Sequence, residues 1–315
     1  GADLSGMDLR NADFTGAWLE SANLRGARLE QASFSYAVLA HADLSEVEAT
    51  EAQFVGANLG KCNLVTARLV TARLDTALFN DTALAQTDFR GASLDGADLR
   101  GATYGLADWR GVSAQGLLFH KAVLKDMVFR GCRLKQPQFI ECDLSAVDFA
   151  GAELERPTFV RCKGHGAIFA RAQLSGAVFV DGCDFSQSDF REARMPQSNL
   201  RGSILRQARF DSADMSAGDF SECDFDHARL DKVQAVGSLF IKSLLTHCSA
   251  GAINLKDAIL QRADLRGTSL GMANLFGADL SRVHCDDATL WGHALMTRAK
   301  TYPRRPESTW PATMS

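Results

Sequence analysis

The chain has 315 residues, of which 46% are hydrophobic, so it can bury a large core, and length alone would divide it into about two domains. Its 34 Lys and Arg against 38 Asp and Glu leave a formal net charge of -4, which excludes both the basic excess of a nucleic-acid binder and the field of a strongly acidic decoy. No apolar run approaches the roughly 20 residues of a membrane helix, no secretory leader opens the chain, and the eight cysteines form no CxxC pair, which points to free thiols in a reducing cytoplasm.

A period of five starts at once, with Ala2, Asp3 and Leu4 directly after Gly1. From Leu4 to Phe179 every fifth residue is Leu, Phe, Met, Tyr or Trp, save Ala49, Ala114 and Gly164. Neither the 3.6 period of a helix nor the 2 of a strand fits it. Two places before each large residue stands a small one, as at Ala12, Ala17, Ala22 and Ala27, and the residue between is often polar, as at Asp13 and Asn23. Small-in, polar-out, large-in is a short extended segment, and the two remaining positions, rich in Gly, Ser, Arg and Asp, suit a tight turn. One pentapeptide is therefore one side and one corner of a coil.

The number of sides follows from unusual residues that recur at a longer spacing. Phe14, Phe34 and Phe54 lie 20 apart, as do Phe119, Phe139, Phe159 and Phe179, and Pro137 with Pro157. Twenty residues make four sides. After one extra residue near 180–182 the period resumes at Phe185 and is read through to Leu295, with Ala235, Ala250 and Cys285 as exceptions. Spacings across the insertion become 21, from Phe169 to Phe190 and from Cys162 to Cys183, which predicts a corner bulge that leaves the columns intact.

The pentapeptides "ADLRG", "ANLFG" and "ADLSR" between residues 263 and 282 resemble the A(D/N)Lxx consensus of the pentapeptide-repeat family. The resemblance implies an all-β solenoid, a right-handed quadrilateral parallel β-helix, over residues 2–298. At the strand spacing of about 4.8 Å, about 15 coils would stack to about 70 Å. Such a repeat overrules a domain count from length.

Near the C-terminus the outward positions turn apolar, at Met272, Phe276, Trp291 and Met296, and the tail 299–315, "AKTYPRRPESTWPATMS", leaves the period. The tail is expected to fold back as a cap, with Tyr302 or Trp310 against Phe276 and Trp291. Solenoid edges need such covers. The N-terminal edge shows no equivalent, so either a further domain precedes it or two copies meet there.

Candidate sites are sought in the outward files. The fourth side carries Trp18, Val38, Leu78, Leu118, Ile140, Val160, Val178, Val180, Leu239, Ile241 and Ile259, interrupted by Asn58, Asp98, Gln138, Asn199, Asp219 and Asp279. Trp18, Val38, Leu78, Leu118, Ile140, Val160, Val178, Leu239 and Ile259 are the expected partner-binding residues, for a protein partner or a second copy. Arg90, Arg110 and Arg130 form a file beside Asp88, Asp108 and Asp148, expected to neutralise one another. Cys142, Cys162, Cys183 and Cys223 take the small inward position and read as core filling. His165 lies in "CKGHGAIF", where Gly164 replaces a core residue, and this reads as a packing defect or a dent open to a ligand. No nucleophile elbow, phosphate loop, dinucleotide fingerprint or HExxH occurs, so no catalytic residue, cofactor or metal is assigned.

Some members of the family mimic duplex DNA and bind or protect DNA gyrase. A rod of about 70 Å imitating B-DNA throughout would carry about 40 negative charges, far from the net charge here. The segment "LMTRAKTYPRRP" also resembles the end of pentapeptide-repeat regions in type VI secretion proteins of Gram-negative bacteria, where the repeat follows another domain and assists effector loading. The sequence thus predicts a cytoplasmic, non-enzymatic protein-interaction scaffold, the C-terminal region of a larger bacterial protein, with no direct nucleic-acid or membrane contact. Gyrase-directed mimicry is the alternative.

Overall fold

The computed structural model describes residues 1–302 and falls into two compact units, Gly1–Pro157 and Thr158–Ser315, each a parallel β-solenoid of stacked coils. Of the expected cap, residues 303–315, Trp310 among them, lie outside the described residues. Among those described, no helix is long and apolar enough to cross a membrane.

In the first unit the residue before each large apolar one bridges to its counterpart 20 positions on: Asp3 to Asn23, Asp8 to Arg28, Asp13 to Ser33 and Trp18 to Val38. The Asn23 N–H donates to the Ala2 carbonyl at 2.9 Å, and the Asn23 carbonyl accepts from the Leu4 N–H at 2.8 Å. At the corner the N–H of a small residue donates to the carbonyl three residues back, as from Ala17 to Phe14 at 3.0 Å. The third turn residue takes positive φ, 68° at Gly16 and 53° at Thr71. Glycine adopts that conformation freely, whereas Thr71 is held in it by the ladder on either side.

Longer strands occur where pairing extends over three residues: β1 (Ser113–Gln115), β2 (Leu118–His120), β3 (Arg133–Lys135), β4 (Gln138–Ile140) and β5 (Glu153–Glu155). β1, β3 and β5 form one parallel sheet, and β2 pairs with β4 on the next side. Inward residues fill the lumen in columns. Phe14, Phe34 and Phe54 stack at 4.9 and 5.2 Å, and Phe119 lies 5.0 Å from Phe139 with the rings 3° from parallel. Several polar atoms at small inward positions find a carbonyl one coil back: Thr82 Oγ1 donates to the Leu59 carbonyl at 2.7 Å, and Cys62 Sγ to that of Leu39 at 2.8 Å.

The ladder of the first unit skips two bridges that the period would place, Asp98 to Leu118 and Thr103 to Val123. There the lumen holds Tyr104 and Trp109 beside Phe119, with ring centroids 5.6 and 5.8 Å from it. Val123 is exposed above the gap.

In the second unit β6 (Thr158–Val160) pairs with β7 (Val178–Val180) at a spacing of 20. Beyond β7, Asp181 and Gly182 both take positive φ, and bridges such as Lys163 to Asp184 and Ile168 to Asp189 span 21. The extra residue widens one corner, and the spacing returns to 20 from Asp184 to Ile204. Gly164 is no open dent. A Cβ there would fall 2.1 Å from Cε1 of Phe185, whose ring fills the space and meets Phe159, Phe169 and Phe179 at 5.7, 5.8 and 5.0 Å.

A second one-residue insertion, which the sequence reading did not place, lies between His284 and Leu290. Asp264 bridges His284 at 20, but Ser269 bridges Leu290, and Asn274 bridges Leu295, at 21. A slip of one residue exchanges the inward and outward faces. Trp291, expected on the outer surface, is therefore lumenal and 1% exposed, while Leu290 and Leu295, expected inside, are exposed. Met296 likewise takes the inward register and is half-buried, and His293 is exposed in a turn at φ 58°.

The ring at Phe185 makes Gly164 a strict size constraint. Gly164→Ala should cost about 1 to 3 kcal/mol by overpacking, and Phe185→Leu in the same chain should restore most of it. Denaturant titration of the wild type and the two variants checks both.

Candidate functional site

Bridging at the coil period forces the fourth-side residues of each unit onto one face. In the first unit Trp18 bridges Val38, Val38 bridges Asn58, Asn58 bridges Leu78, and Leu78 bridges Asp98. Trp18 is 81% exposed and Leu78 41%, while Val38, Leu118 and Ile140 are half-buried by their neighbours. Leu118 faces Gln138 across β2 and β4, and Ile140 faces His120. In the second unit Val160 pairs with Val180 and Val178 with Thr158, and further along Leu239 bridges Ile259. The apolar file is therefore real within each unit but cut into short patches by Asn58, Asp98, Asn199, Asp219 and Asp279.

Among the described residues, Phe276, Trp291 and Tyr302 do not come together. Phe276 is half-buried, with the Lys256 ammonium 6.0 Å and the Arg298 guanidinium 5.5 Å from its ring. Tyr302 continues the ladder, its carbonyl accepting from the Arg282 N–H at 2.8 Å. Its ring stays 62% exposed and meets the Arg282 guanidinium at 5.7 Å, not Phe276 or Trp291. Trp291 is inside the lumen.

A second cluster was not singled out from sequence. Asp226 and His227 occupy a corner of the second unit, and Thr246 and His247 stand in the same corner one coil on. His227 Nδ1 lies 2.9 Å from Asp226 Oδ2, and His247 Nδ1 lies 3.1 Å from Oδ1. The two imidazole rings stack at 4.7 Å, and Thr246 Oγ1 hydrogen-bonds Asp226 Oδ1 at 2.5 Å. Burial pushes the Asp226 carboxyl up, but bonds from Thr246, His247 and His227 outweigh it and hold the group at about 2. An open hollow of about 350 Å³ lies against this corner, rimmed also by Asp224, Arg206, Arg266 and Asp286. The available signal was the spacing of 20 between His227 and His247, the same spacing that counts the sides.

The buried thiols serve packing. Desolvation pushes Cys62, Cys132 and Cys223 up to about 12, so none of these three supplies a thiolate near neutrality, whereas the hydrogen bond with Cys162 holds Cys183 below the ordinary thiol value. Cys285 alone among the eight is not buried.

The family profile for pentapeptide repeats matches residues 1–26, 27–64, 67–103, 138–179, 180–207, 203–240 and 243–282. The chain belongs to the pentapeptide-repeat family. No curated protein sequence matches it. Among solved structures it is similar to HetL, a pentapeptide-repeat protein involved in heterocyst differentiation regulation from the cyanobacterium Nostoc, at 26% identity over 72% of this chain and 88% of HetL, with a TM-score of 0.23. It is also similar to full-length QnrB1, a plasmid-mediated fluoroquinolone resistance protein, at 19% identity over 60% of this chain and 93% of QnrB1, with a TM-score of 0.26. A pentapeptide-repeat protein of the Arabidopsis thaliana thylakoid lumen is 30% identical over 36% of this chain and 64% of its own, with a TM-score of 0.20.

Residues 104–137, between two of the profile matches, take in Tyr104, Trp109 and most of the stretch where the ladder loses bridges. Elsewhere the pentapeptide consensus has a direct physical meaning here. The Asp or Asn of A(D/N)Lxx accepts the turn N–H two residues on: Thr15 to Asp13 at 2.9 Å, Ser45 to Asp43 at 3.0 Å, Arg201 to Asn199 at 3.0 Å. Where Arg follows in the pentapeptide, it also clasps that carboxylate. Arg90 to Asp88, Arg110 to Asp108 and Arg191 to Asp189 close at 2.7, 2.5 and 2.5 Å, and Arg130 reaches Asp148 on the next coil at 2.5 Å. The Asp and Arg files neutralise each other side chain by side chain.

The Arg100 guanidinium holds the Asp98 carboxyl at about 2, below its ordinary 3.8. A depressed folded-state value contributes stability present above the unfolded value and lost as pH falls through the folded one. Thermal midpoints should hold down to about pH 4 and fall between about pH 4 and 2. Arg100→Gln should raise the pH at which Asp98 protonates, read by NMR titration of its side chain.

Proposed function

We propose that this pentapeptide-repeat chain is a non-enzymatic interaction scaffold that docks a protein surface on its fourth side, a second copy of itself in the simplest case. The observation that carries the reading is the apolar choice at bridge positions. The ladder there uses only backbone groups, and Asp or Asn would add a bond to the turn, yet Val38, Leu78, Val178, Leu239 and Ile259 forgo it. What they offer instead is apolar area facing solvent on a flat sheet. With the lumen filled, the charged side chains stand at outward positions, where they are presented to partners and not enclosed around a substrate.

A narrower form of the proposal places the chain in a larger bacterial protein that assists effector loading or delivery by type VI secretion. Its support is the tail sequence "LMTRAKTYPRRP". Gyrase-directed DNA mimicry is disfavoured by the guanidinium clasps, since a carboxylate bonded to Arg offers little of the exposed charge of a phosphate row.

Sedimentation of the full chain tests the docking surface. The wild type should self-associate, and the variant with Leu118→Asp, Val160→Asp and Val178→Asp should not, with unchanged circular dichroism. A monomeric wild type, or a variant that associates equally, removes this surface. Inhibition of gyrase supercoiling by micromolar protein would replace the reading with mimicry.

A further inference from the structure

We propose that Asp226, His227 and His247 form a binding site for a first-row divalent transition-metal ion, of which zinc is the probe. The ligand atoms of the three residues all lie within 4.8 Å of one another. Metal–imidazole bonds of about 2.0 to 2.1 Å in a tetrahedron set neighbouring ligand atoms about 3.3 Å apart. The two Nδ1 atoms already stand 2.9 and 3.1 Å from the Asp226 oxygens, so an ion between them requires small side-chain rotations. Both rings are more than half exposed, which leaves a path from solvent and room for water at the remaining position.

The surroundings agree with the donor set. Thr246 Oγ1 fixes Asp226 Oδ1, the kind of outer hydrogen bond that orients a ligating carboxylate. The two cations beside the hollow are matched by carboxylates of their own: Arg206 Nε bonds Asp224 at 2.6 Å, and Arg266 bonds Asp264 at 2.6 Å. Asp226 and Asp286 then leave the hollow with negative charge to offset an incoming dication. Two imidazoles with one carboxylate favour zinc, nickel or copper over calcium or magnesium, which prefer oxygen ligands throughout.

The backbone supports the same site. His227 and His247 take φ of 59° and 56° at equivalent turn positions of successive coils, which sets the rings in a vertical file. Gly267 continues that file, and a Cβ there would fall 2.8 Å from His247 Cδ2. The glycine leaves space for the His247 ring, and a bound ion would tie one coil to the next.

Isothermal titration of the untagged full chain with zinc tests the site, with Cys285→Ser as the background because that thiol is the one not buried. One ion should bind per chain with micromolar affinity, magnesium should not bind, and the thermal midpoint should rise with zinc. His227→Ala and His247→Ala should each weaken binding at least tenfold while leaving the circular dichroism unchanged. The absence of stoichiometric zinc binding in this background, or wild-type affinity in both histidine variants, would overturn the proposal.

Discussion

The constraint on which everything else rests is that each coil must return its bridging residues to register with the coil before. Asn23 places its N–H on Ala2 and its carbonyl under the Leu4 N–H, and the same exchange repeats at Asp43 with Ala22 and Leu24. Each contact is one weak backbone pair, and their strength lies in repetition. Once the return length is fixed at 20, side-chain direction, column stacking and the composition of each outer face follow from it.

The register also decides where polar chemistry is tolerated. Many inward Thr, Ser and Cys donate to a carbonyl one coil back, as Ser238 does to Met215 at 2.8 Å. Outward Asp survives because it serves the turn and its Arg neighbour. The same geometry brings residues 20 apart into contact with no local sequence motif, and His227 and His247 meet in that way. A search for ligands at helical or loop spacings passes over such pairs.

Much of the fold was legible because the period is explicit: Leu, Phe and Ala at fixed offsets specify inside and outside without reference to distant sequence. The vertical neighbours Phe119 and Phe139 followed from their spacing alone. In the last coils Leu290 and Leu295 are as apolar as true lumenal residues, so the period runs on through them and conceals the second insertion. Its marks are Cys285 at a large inward position and the displaced Trp291 and Met296. Gly164 looked like a defect because its compensation, the Phe185 ring, comes from the following coil. On the fourth side sequence placed the residues on their face, but not the half-burial that neighbouring side chains impose on Val38, Leu118 and Ile140.

Disulfide trapping reads the register most directly. With Cys285→Ser as background, Asn58→Cys and Leu78→Cys stand as bridge partners, within the Cα separation a disulfide accepts, and should oxidise to a single intramolecular bond. Asn58→Cys with Arg68→Cys, ten residues apart and two sides away, should remain reduced under the same conditions. Efficient bonding of the second pair with none in the first would contradict a coil that closes every 20 residues.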